Sequence, residues 1–118
     1  MSSTRQLLIV ILNKVELLND LLSIFIEAGI TQSTVFESEG MAHLLAYDVP
    51  VFAGLREIVG EKKSHNKTIL ALVNDRSMLD ELKKLSKEIQ LDFTKPGTGI
   101  MFTLPVNYVI KPEKDRPE

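Results

Sequence analysis

The chain has 118 residues, of which 44% are hydrophobic and 25% charged; this is the size and make-up of one globular domain that buries a core without disulfides or metal. Fourteen Lys and Arg against sixteen Asp and Glu leave a net charge of −2, which excludes a large basic surface and bulk attraction to nucleic acid. The lack of cysteine excludes disulfides, thiolate nucleophiles and cysteine metal sites together, and it fits a reducing, cytoplasmic setting.

Gln6 to Leu12 is an unbroken apolar run rich in Ile and Val, the pattern of a central strand buried on both faces. It is too short to cross a bilayer and lacks the small-residue cleavage pattern of a signal peptide, so no membrane insertion is expected. Asn13, with Glu16 three residues on, forms a capping-box pattern that predicts a helix start. The helix carries Leu18, Leu21, Leu22 and Phe25 on one stripe and ends at Ala28-Gly29, where glycine supplies the left-handed position after the last turn. Thr34 to Glu39 alternates Val35, Glu37 and Glu39 with Thr34, Phe36 and Ser38, which predicts a strand.

Gly40 to Lys67 mixes apolar patches at Leu44-Leu45, Val51-Phe52, Leu55 and Ile58-Val59 with Pro50, Gly54, Gly60 and a polar run from Glu61. A short helix is predicted around Phe52 to Val59 inside a long connection, and long connections are usually functional or mobile. Thr68 to Val73 reads as a second buried strand, and the Asn66-Lys67-Thr68 glycosylation triplet as coincidence. After a turn at Asn74-Asp75, Ser77 is expected to cap a helix with Leu79, Leu82, Leu85 and Ile89 on one face. The turn Lys95-Pro96-Gly97-Thr98-Gly99 then leads into a last strand, Ile100 to Val106. Residues 1–110 thus form one domain with an inserted segment, 41–67, and residues 111–118 read as a frayed, charged tail.

The order β-α-β-β-α-β predicts an α+β, ferredoxin-like fold: a four-stranded antiparallel sheet with both helices on one face. Such a fold hosts many functions, so function has to come from a site. Gly97 and Gly99 allow backbone N–H groups to approach an anion, and they equally suit a plain tight turn. His43 reads as a ligand contact, a proton sensor or a solvated edge residue, and His65 as surface. Two histidines more than twenty residues apart lack metal-ligand spacing, and no Ser-His-Asp pattern suggests hydrolysis, so neither a metal nor catalysis is expected.

Three stretches resemble PII-type nitrogen-regulatory signalling proteins. Gly29-Ile30-Thr31 followed by Thr34-Val35-x-Glu37-x-x-Gly40 is similar to the end of the family's first helix and its second strand. Gly97-x-Gly99-x-x-Phe102-x-Leu104-Pro105-Val106 is similar to its phosphate-cradling B-loop and following strand, and the insertion after Gly40 lies where the family carries its target-binding T-loop. The resemblance spans Leu8 to Lys111. It implies a non-catalytic homotrimer that binds a small anionic effector, such as an adenine nucleotide, between subunits and regulates a partner such as a membrane transporter or an enzyme. The implied ligand residues are Gly40, His43, Lys95, Gly97, Thr98, Gly99 and Lys111, and the implied partner-binding residues are Phe52, Leu55, Arg56, Lys62 and Lys63. Several positions depart from the family. Ile100 stands at the place of the phosphate-gripping lysine, Thr98 replaces an acidic residue, and His43-Leu44 replace a basic and an amide ligand. Lys111 and Glu113 stand at the places of two arginines, and no tyrosine marks the loop tip, since Tyr47 lies at its base. ATP ligation and covalent modification are therefore not carried over. The alternative is a ligand-free trimeric scaffold of the same fold.

Overall fold

The computed structural model describes residues 5–59 and 65–112. β1 (Gln6–Leu12) lies inside a four-stranded sheet of order β2-β3-β1-β4, with β2 at Ser33–Ser38, β3 at Asn66–Val73 and β4 at Gly99–Pro105. Every neighbouring pair is antiparallel, which gives the α+β, ferredoxin-like arrangement that the element order predicts.

Side chains alternate faces along a strand, so β1 sends Leu8, Val10 and Leu12 to one side, and all three are fully buried. Directly across on β3, Ala71 and Ile69 oppose Leu8 and Val10, and both are buried too. Onto this inner face pack α1 (Leu18–Glu27), through Leu21, Ile24 and Phe25, and α4 (Arg76–Glu88), through Leu82. The outer face carries Leu7, Ile9 and Ile11, opposed by Leu72 and Leu70 on β3 and by Leu104, Phe102 and Ile100 on β4. No helix of the described residues is long and apolar enough to cross a membrane.

Both main helices stop in the same way. After α1 the chain turns through Gly29 at φ +92°, with the Gly29 amide bonded to Ile26 O and the Ile30 amide to Phe25 O. After α4 it turns through Gln90 at φ +64°, with the Gln90 amide bonded to Lys87 O and the Leu91 amide to Ser86 O. These are Schellman motifs, and each tucks the next apolar residue, Ile30 or Leu91, into the core.

Three local expectations need correction. The capping box at Asn13 and Glu16 does not form. A 3-10 turn at Val15–Leu17 comes first, and α1 starts at Leu18 without a side-chain cap, because the Asn13 side chain is held by Asn66 instead. The cap of α4 is Asp75, whose carboxylate accepts the Ser77 amide at 2.7 Å; Ser77 lies one residue inside the helix. In the long connection, the short helix expected around Phe52 to Val59 is present as a 3-10 turn at Pro50–Leu55 followed by α3 at Arg56–Val59, and a further helix, α2 at Met41–Asp48, was not expected. α2 lacks a clean apolar stripe and buries only Ala46, so its pattern gives little signal. Pro50 ends it by holding Val49 extended at φ −120°, and Pro50 itself opens the 3-10 turn. Strand limits shift as well. β3 begins at Asn66, taking Asn66 and Lys67 out of the inserted segment, and β4 runs Gly99–Pro105, with the Val106 amide still bonded to Arg5 O.

Candidate functional site

Antiparallel pairing brings the ends of β1 and β2 and the starts of β3 and β4 to one end of the sheet: Leu12 pairs with Lys67 and Gly99, and Ser38 with Asn66. The glycine turn is tied there by the Asn13 amide, which donates to Thr98 O at 2.9 Å. Gly99 has φ +137°, and a Cβ on it would lie 2.1 Å from the Ile11 carbonyl oxygen, so only glycine lets β4 approach β1 this closely. Gly97 has φ +86° but faces open space; its constraint is conformational alone. Between them Thr98 is 1% exposed, and its buried Oγ1 has no hydrogen-bond partner among the described residues.

Next to the turn runs a chain of polar side chains. Asn66 donates through Nδ2 to Asn13 Oδ1 at 3.4 Å and accepts through Oδ1 from the Ser38 hydroxyl. The Ser38 hydroxyl also shares a hydrogen bond with Thr68 Oγ1 at 2.7 Å. Gly40, where the helical insert departs, abuts the same amide: a Cβ there would lie 3.9 Å from Asn66 Nδ2. Beside this chain Lys67 Nζ donates to Glu37 Oε2 at 3.0 Å, and that hydrogen bond is the main cause holding the Glu37 carboxyl below the usual range. His65 Nδ1 lies 3.8 Å from Glu39 Oε2.

No family model matches the chain, and no curated protein matches its sequence.

Of the residues singled out from the sequence, Gly40, Gly97, Thr98 and Gly99 gather at this end of the sheet. His43 is half-buried in the first turn of α2, and Lys95 is exposed on the turn that precedes Gly97, its amide bonded to Asp92 O. Lys111 follows the opposite end of β4, so the length of that strand separates it from the turn within one chain. In the insert Phe52 is 43% exposed and Leu55 half-buried. Arg56 is engaged inside the insert: its Nε donates to Ala46 O at 2.9 Å and its guanidinium sits 4.7 Å from the centre of the Tyr47 ring. Lys62 and Lys63 lie outside the described residues. Sequence reasoning did not find the polar chain itself. Asn13 and Asn66 each carry a competing local pattern, a helix cap and a glycosylation triplet, and nothing within a few residues of either announces the other.

Proposed function

We propose that this chain is a PII-like regulatory protein. Three copies close their outer sheet faces around a threefold axis, a small anionic effector binds at the glycine turn between subunits, and the 41–59 insert meets a regulated protein. The observation that carries this reading is the continuous link from the turn to the root of the insert: Thr98 O to the Asn13 amide, Asn13 to Asn66, and Asn66 against Gly40. An effector bonded to the amides of residues 97–99 pulls on Asn13, and through Asn66 it biases the position from which the insert departs. A ligand shifts such an equilibrium only by its differential affinity for the two arrangements.

The site as built favours an anion other than ATP. Ile100, at the family's lysine position, lies 52% exposed on the outer face opposite Ile11, and it supplies contact surface where a phosphate would need charge. Each missing charge-assisted contact costs about 1.5–3 kcal/mol, about ten- to a hundredfold in affinity. Ile100 is also the observation that favours the second reading, a trimeric scaffold without an effector. Calorimetry with ATP, ADP, AMP and inorganic phosphate, run beside light scattering, separates the two. Effector binding is expected to be lost in Gly97→Val, whose β-branched side chain strains a positive φ and obstructs the turn, while the trimer persists. Low-micromolar ATP binding by the natural chain sinks the argument from Ile100; a trimer that binds no anion leaves the scaffold; a stable monomer at micromolar concentration defeats both.

A further inference from the structure

A second concavity lies away from the glycine turn, between α4 and the edge strand β4. It arises from the end of α4. Gln90 in the left-handed region reverses the chain, Leu91 is pulled into the core, and Asp92 then fixes a tight turn by accepting the Thr94 amide at 2.9 Å and the Thr94 hydroxyl at 2.6 Å. Residues 91–94 are thereby laid alongside the helix, and a cavity of about 550 Å³ remains between them, α4 and the inner side of β4. That volume lies within the range of small-molecule sites. Its floor is mainly apolar, through Leu8, Leu79, Leu91, Phe93 and Met101, with Gln6, Ser86 and Thr103 among them. Asn13 and Gly97 to Gly99 are not among its lining, so it is separate from the site above.

The rim carries the chemistry. Arg76, Lys83 and Lys87 line it at spacings of seven and four residues, which put them on one side of α4. None of the three is in an ion pair among the described residues, where the ion pairs are His65–Glu39 and Lys67–Glu37. Two carboxylates share the rim, Asp80 and Asp92; Asp92 accepts from Thr94 and its charge also attracts Lys87, so the three cations outweigh the two carboxylates by one charge. A mainly apolar floor under a rim with surplus positive charge complements one kind of small molecule: an apolar body that ends in a single anionic group.

We propose that this groove binds a small amphipathic carboxylate, its hydrocarbon or aryl body against Met101, Phe93 and Leu91 and its carboxylate at the i, i+4 pair Lys83 and Lys87. The body contributes through buried apolar area and the head through charge-assisted hydrogen bonds, so removing either part costs affinity. A neutral alcohol of equal length loses the second contribution, and a cationic head meets repulsion.

The test uses the full chain carrying ¹³C-methyl methionine, titrated with decanoate, decanol and decyltrimethylammonium. With decanoate the Met101 methyl signal shifts saturably, while that of Met41, 75% exposed on the insert, stays in place. Decanol and the cation bind about tenfold more weakly or less. The double variant Lys83→Glu, Lys87→Glu, on an exposed helix face, weakens decanoate about tenfold or more and leaves decanol and the circular dichroism spectrum unchanged. Met101→Trp fills the groove and blocks both. Absence of a saturable Met101 shift at millimolar decanoate overturns the proposal, as does equal binding of the three head groups or full decanoate affinity in the charge-reversed variant. A Met101 signal that moves only with protein concentration overturns it too, because a second copy of the chain then fills the groove.

Discussion

On β1, Leu8, Val10 and Leu12 are fully buried beneath α1 and α4, whereas Leu7, Ile9 and Ile11, the residues between them, are only half-buried on the opposite face. The contrast widens toward the edges, where Phe36 is 46%, Phe102 39%, Leu104 49% and Ile100 52% exposed on the outer side. Apolar character does not distinguish the faces, since Leu and Ile stand on both, with Val on the inner side and Phe on the outer. What differs is that, among the described residues, both α1 and α4 pack on the one face and neither on the other. The insert does not serve as cover: α2, the 3-10 turn and α3 pack mainly on one another, and the molecule is drawn out to 51 Å with a radius of gyration of 16.4 Å. A compact chain of this length has a radius of about 13.5 Å. An unbroken apolar run therefore reports that a strand has two faces to cover, and it does not report that the same chain covers both.

The largest expected effect tests the covered face. Leu8→Ala opens a cavity in a packed core and is expected to cost about 2–5 kcal/mol in chemical denaturation. Ile9→Ala, one residue along, should cost clearly less in the isolated chain because its neighbours are already partly in water. Equal losses, measured where the protein is monomeric, break the comparison. Phe102→Asp tests the open face. A charge there is accommodated in a lone chain and not inside an assembly, so light scattering should fall to the monomer mass with the far-ultraviolet spectrum retained. Should the variant keep its assembled mass, the outer face is not the contact between copies.

A smaller difference separates core from insert. Amides of β1 are expected to exchange hydrogen slowest and those of α2 faster, because α2 buries a single residue, Ala46. Comparable protection would mean that the insert is fixed to the core.

The smallest effect concerns the cover itself. Asp75 caps α4, and its carboxyl is held below the usual range by hydrogen bonds from Ser77, first the hydroxyl and then the amide. A carboxylate lowered on folding stabilises above its ordinary value and loses that contribution as pH falls through the folded value. Asp75→Asn should therefore flatten the stability profile below about pH 4 and change little near neutrality. Asp92, lowered by the Thr94 hydroxyl and then its amide, acts in the same direction, so a residual slope in the variant is expected.

Much of the fold is legible because it depends on residues near one another in the chain. The run Gln6 to Leu12 can hardly be anything but a strand, and Gly29 marks the end of α1 because glycine enters the left-handed region without cost. The end of α4 carries the same motif and is hidden, since Gln90 does there what glycine does after α1. α2 is hidden for another reason: a helix that packs on its own short insert has no need of the stripe that betrays a helix on a sheet. Of the candidate site, the glycine turn was legible in the sequence, and its neighbours were not.

The sequence by itself determined the order of the four strands and the two main helices, the pairing of two βαβ halves and the turn that needs Gly97 and Gly99, because backbone sterics and side-chain periodicity act over a few residues. Only the tertiary structure decided that Asn13 serves Asn66, 53 residues away, instead of capping a helix. It also decided that the buried Thr98 hydroxyl has no partner among the described residues, that the outer face stays partly exposed, and that the cations of α4 rim a groove floored by Met101. A polar side chain takes whichever partner the packed fold brings within about 3 Å, and an apolar one is covered only by what the fold has left over. Both depend on where distant segments come to rest, which a local pattern does not encode.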